Sequence, residues 1–123
     1  MTVPCVTEDH EQVWIKVNTR VDRGIARVVS ALNCLDGLQT VDSCEGIAKY
    51  KPAHVYFYYG DWHQIGTLVF DRIGPALWGR LGNEAIVSLE VFNDSAPMGK
   101  LSFDKEATNV VASILEELLY ERP

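Results

Sequence analysis

Hydrophobic and polar positions change their period several times along this chain. Val13, Ile15 and Val17 alternate with Trp14, Lys16 and Asn18, the period of two that a half-buried strand requires. From Val21 the spacing lengthens. Val21, Ile25, Val28, Val29 and Leu32 fall on one helical face, with Asp22 as the predicted N-cap and Asp36-Gly37 as the stop. Residues 38–43 return to a strand pattern. Residues 44–53, with Gly46, Lys49, Lys51 and Pro52, read as a loop. His54 to Tyr59 is a strand rich in aromatic and β-branched residues.

Asp61 is placed to cap a helix carrying Ile65, Leu68, Val69 and Ile73. Gly74-Pro75 is expected to break or kink it, with Pro75 opening a short second helix through Leu81. After a Gly82-Asn83 turn, Ala85, Val87, Leu89 and Val91 alternate with Ile86, Ser88, Glu90 and Phe92. Residues 94–99 turn, and 100–103 form a fifth strand. Asp104 is the predicted cap of a last helix with Ala107, Val110, Val111, Ile114, Leu115 and Leu118 on one face. The succession β-α-β-β-α-β-β-α predicts a two-layer α+β (α/β-type) domain over 1–123. It would hold a mixed or antiparallel sheet with helices on one face, and its first six elements follow the ferredoxin-like order.

Composition narrows the partners. Eleven Lys and Arg against seventeen Asp and Glu leave a formal net charge of -6, which opposes a general binder of phosphate backbone. Three cysteines without a Cys-x-x-Cys give no disulfide framework and point to a reducing compartment. With no basic, apolar leader and no run long enough for a bilayer, a cytoplasmic protein without membrane contact is expected.

Alternation also sorts the sheet into faces. Val13, Ile15, Val17, Val41, Val55, Phe57, Val87 and Leu89 would face the helices. Trp14, Lys16, Thr40, Asp42, His54, Tyr56, Tyr58, Ser88 and Glu90 would form the opposite face. That second face is polar yet aromatic, a surface suited to stacking a planar ligand and fixing its orientation. A rival reading covers it with the C-terminal helix or with a second copy in a homodimer.

The segment Thr40-Val-Asp-Ser-Cys-Glu-Gly46 enters the loop between the second and third strands. Antiparallel pairing would bring Cys44 and His54 together. A thiolate is the reactive form of cysteine, and an imidazolium or the loop's Lys49 and Lys51 would favour it. Asp42 and Glu45 could hold the imidazole or take a proton. Ser43 and the loop amides could donate to an anion, with Gly46 supplying the positive φ of a tight turn. Against this stands the plainer reading of Cys44 as a small buried hydrophobe in a chain reversal. Cys34, near the end of an apolar helix, is expected in the core. Cys44 and His54 alone do not make a metal site, and no Gly-x-Gly-x-x-Gly or P-loop occurs.

Thr40, Ser43, Cys44 and Gly46, with the preceding helix and the β-rich segment that follows, resemble the Thr-x-Ser-Ser-Cys-x-Gly-Arg signature of wybutosine-synthesis methyltransferases of the third-enzyme type. Ile47 stands at the position of the signature's arginine. The resemblance implies S-adenosylmethionine as methyl donor and a tricyclic guanosine of phenylalanine tRNA as substrate. Asp42, Ser43 and Cys44 would then position that base, and His54 or a lysine would move protons. The expectation is therefore a ligand site at the Cys44 turn and the adjoining face, for a small molecule or modified base. The alternative is a ferredoxin-like binding module in which Tyr56 and Tyr58 stack single-stranded nucleic acid.

Overall fold

The structure, a computed structural model, describes residues 12–14, 20–92 and 96–120. Strands β1 (Gln12–Trp14) and β2 (Arg20–Asp22) pair antiparallel. A 3-10 turn, Arg23–Ile25, leads into α1 (Ala26–Cys34). Then come β3 (Leu38–Cys44) and β4 (Ala53–Tyr59). A helical run follows through 3-10 turn Trp62–Gln64, α2 (Ile65–Thr67), a π-helix Leu68–Ile73 and α3 (Gly74–Leu81). β5 (Ala85–Glu90), β6 (Met98–Phe103) and α4 (Thr108–Leu118) complete the chain. The four strands β3-β4-β6-β5 form one antiparallel sheet, so the class is α+β.

The predicted succession of elements holds apart from an added strand, β2; the first strand pairs with β2, apart from the four-stranded sheet, so the ferredoxin-like sheet is not formed among the described residues. Its predicted positions Ile15, Lys16 and Val17 lie outside the described residues. Val21 belongs to β2 rather than to the first helix, and Asp22 makes no side-chain cap. Asp22 is instead buried, and its Oδ2 accepts the Glu45 amide at 3.2 Å. Asp61 does cap as predicted, accepting from the His63 amide. Asp104 occupies the predicted N-cap position but forms no side-chain bond there.

At Gly74-Pro75 the helix neither breaks nor restarts. Pro75 has no N–H to give to the preceding turn and its ring crowds the carbonyl one turn back. The turn widens, the Gly74 amide reaches Val69 O, five residues back, and Leu68–Ile73 becomes a π-helix. Phe70 is thereby left exposed while Leu68, Val69 and Ile73 stay in the core.

All the longer helices lie on one side of the sheet. Ala53, Val55 and Phe57 of β4, with Leu101 and Phe103 of β6, are buried against Val28, Val29 and Leu32 of α1 and Val111, Ile114 and Leu115 of α4. Val110, predicted on that stripe, is exposed. The Arg27 guanidinium donates to both Glu116 carboxylate oxygens (2.9 and 2.6 Å), and Arg80 reaches Glu117 at 3.3 Å. α4 therefore lies between α1 and α3 within the helical layer. It does not cover the other face of the sheet, which corrects one of the rival expectations.

Candidate functional site

The open face is set by β4, where buried Ala53, Val55 and Phe57 alternate with half-buried His54, Tyr56 and Tyr58. Residues paired across an antiparallel ladder share a face. Tyr56 pairs with Asp42 on one side and Lys100 on the other, while His54 pairs with Cys44 and Ser102. β5 continues the face through Ile86, Ser88 and Glu90. Asp42, His54, Tyr56, Tyr58, Ser88 and Glu90 thus stand where alternation predicted them.

A β-bulge between Thr40 and Asp42 changes the rest. One extra residue shifts the strand's face by one position. Thr40, predicted outward, pairs with Phe57 on the helical side, where its hydroxyl accepts from Asn33 Nδ2 (2.7 Å) and its amide donates to Asn33 Oδ1 (3.0 Å). Val41, predicted inward, instead helps to line a hollow on the open face. Trp14, also predicted outward, is on β1, which is not part of this sheet.

That hollow has a volume of about 290 Å³ and is lined by Val41, Asp42, Tyr56, Tyr58, Phe92 and Met98. Beside it, His54 Nε2 is 4.0 Å from Asp42 Oδ2. The His54 and Tyr56 rings meet edge to face with centroids 5.6 Å apart. Lys100 Nζ sits 5.4 Å from the centre of the Tyr56 ring, within range of the ring's negative face. Burial lowers the His54 pKa below its ordinary value; Asp42 opposes that shift, and Lys51 and Lys100 add to it. A neutral imidazole at physiological pH can both donate and accept a hydrogen bond.

The His54 shift has a consequence for folding. The folded protein holds the His54 proton less tightly than the unfolded chain, whose imidazole titrates near pH ~6.5. The favourable contribution is present above that pH and is lost as pH falls through the lowered folded value. Urea midpoints of the native protein are expected to drop more between about pH 7.5 and about pH 5 than those of His54→Gln. Equal drops would show that His54 carries no such linkage.

The Ser43–Gly46 half of the motif does other work. Ser43 and Cys44 are buried, and Cys44 is a free thiol with no exposed surface. The predicted pairing of Cys44 with His54 is present in the strand register, but among the described residues the accessible thiol is Cys34, expected in the core and found exposed at the end of α1. Glu45 is buried, with Oε2 3.7 Å from Lys105 Nζ, and its carboxylate fills the space beside Gly24, where a Cβ would collide with it. Lys105 also donates to Gly46 O at 3.3 Å. Gly46 takes the predicted positive φ, 75°. Its turn closes on protein: the amides of Ile47 and Lys51 each bond to the other's carbonyl at 2.8 Å. Together these contacts join β2, the end of β3 and the start of the last helix.

Lys49 is exposed in this loop and lines a separate hollow of about 210 Å³ with Ile47, Tyr50, Lys51 and Lys105. The site residues missed by sequence are Lys100, Phe92 and Met98. Starting the last strand at Met98 instead of residue 100 would have set Met98 and Lys100 outward by alternation. Phe92, just past the end of β5, does carry such a signal, because alternation sets it with Ser88 and Glu90.

Among the described residues no three His, Cys, Asp or Glu cluster to hold a metal, and no helix is long and apolar enough to cross a membrane. No protein-family model, curated protein or solved structure matches the chain.

Proposed function

We propose that the chain is a binding module whose open sheet face takes a small planar organic ligand. The ring of the ligand rests against Tyr56 and Tyr58, and Asp42 and His54 fix its orientation. The hollow of about 290 Å³ beside Tyr56 and Tyr58 is the observation that carries this reading. Its volume suits one or two fused rings, and three aromatic side chains, Tyr56, Tyr58 and Phe92, line it on a face that no described helix covers.

Methyl transfer from S-adenosylmethionine to a modified base of tRNA, the activity that the resemblance implies, would have to use this face through Asp42 and His54. Ser43 and Cys44 are buried, and the charge of -6 disfavours a tRNA backbone.

The test is ligand-observed NMR with a panel of planar fragments, S-adenosylmethionine and single-stranded RNA, on native protein and Tyr58→Ala. Planar fragments should bind the native protein and lose about tenfold or more in Tyr58→Ala, in the range of a lost stacking contact. No binding by any fragment, or binding indifferent to Tyr58→Ala, would overturn the proposal. Binding confined to S-adenosylmethionine would favour the methyltransferase reading.

A further inference from the structure

Resting on that binding reading, we infer that the ligand is a planar organic cation, such as an N-alkylated nitrogen heterocycle, with its charge at Asp42 and its ring against Tyr56 and Tyr58. Among the described residues that line the hollow, Asp42 is the only charged side chain. Val41, Tyr56, Tyr58, Phe92 and Met98 supply a hydrocarbon, aromatic and thioether wall. Such a wall has no cationic donor of its own for a phosphate or carboxylate, and the nearby Lys100 ammonium is engaged over the Tyr56 ring.

Aromatic rings present negative faces, so cations are drawn to them. This protein already uses that attraction once, in the Lys100 ammonium held over Tyr56. By the strand register Tyr56 stands between Lys100 and Asp42, which leaves the Asp42 side of the ring for the ligand. His54, the nearest titratable partner of Asp42, is neutral near physiological pH and does not cancel the carboxylate. The net charge of -6 adds a field that favours approaching cations.

A delocalised, weakly hydrated charge fits such a wall better than a compact ammonium does, because less hydration is lost on entering it. A lone carboxylate is also too few ligands for a metal ion, in keeping with the absence of a ligand cluster among the described residues.

The test is titration calorimetry with N-methylquinolinium and with neutral quinoline, at mildly alkaline pH, on native protein, Asp42→Asn and Tyr58→Ala. Native protein should prefer the cation by about tenfold. Asp42→Asn should erase that preference, bringing the affinity for the cation down to that for quinoline, and Tyr58→Ala should weaken both compounds. Equal binding of the two by native protein, with both weakened in Tyr58→Ala, would overturn the cation inference and leave the binding module standing. A preference that survives Asp42→Asn, or no binding of the cation, would also overturn it. The fragment panel then decides separately whether the face binds planar molecules at all.

Discussion

Gly99→Ala should lower folding stability by about 3 kcal/mol, at the upper end of what overpacking a core costs. Gly99 is buried on β6, opposite Phe57 of β4 and Leu89 of β5. The Phe57 ring lies across it, and a Cβ built there would fall among the ring's Cε and Cζ atoms. Phe57 is itself fully buried, with core side chains on every side and no route to solvent. The clash must therefore be relieved by moving the sheet or the ring, and close-packed interiors resist both. Urea denaturation measures the loss. Pairing the substitution with Phe57→Leu, which shortens the obstructing side chain, should leave the double variant at least about 1 kcal/mol more stable than the sum of the two losses. Additive losses, or a Gly99→Ala loss below about 1 kcal/mol, would mean that Phe57 does not lie over β6 as described.

A comparable loss, about 3 kcal/mol, is expected from Gly46→Ala, and it bears on the motif itself. An L-residue at the φ of 75° found here carries a left-handed penalty of about 1–2 kcal/mol. The new Cβ would also meet Lys51 O at 2.6 Å and Ala53 N at 2.7 Å. Those atoms are backbone, pinned by the Ile47–Lys51 pair and by the start of β4, so they cannot swing aside as a side chain would. The loss should appear in urea denaturation without any ligand. Gly46→Ala with native stability but no ligand binding would instead place Gly46 in the site and contradict the structural role assigned to it.

The strand most legible in the sequence was β4, because unbroken alternation from Ala53 to Tyr58 admits one reading. The positions of His54, Tyr56 and Tyr58 follow from it directly. β3 was harder. Its bulge carries no glycine at Val41, so nothing in the residue types announces the extra position, and Thr40 and Val41 exchange faces. The start of α1 was misplaced for a different reason. Val21, Ile25 and Val28 keep helical spacing even though a strand and a 3-10 turn separate them, since all three point into the same core.

The cysteines show the limit of residue-type arguments. Cys34 closes an apolar helix but lies on its outward side, whereas Cys44 sits among polar neighbours and is nevertheless sealed by the fold around it. Hydrophobic neighbours in sequence do not decide which side of an element a thiol occupies. The same holds for Glu45, which reads as a loop carboxylate and is in fact the buried plug between Gly24 and Lys105.

Thr40–Gly46 divides in two: Asp42 faces the hollow of the open sheet face, and Ser43, Cys44, Glu45 and Gly46 knit the fold. Iodoacetamide labelling of the native protein, in a Cys5→Ser background and followed by mass spectrometry, tests that division most directly. Cys34 should label promptly, and Cys44 should stay unmodified until denaturant unfolds the chain. Cys44 labelling in the native protein as fast as Cys34 would place the thiol at an accessible site and contradict the account.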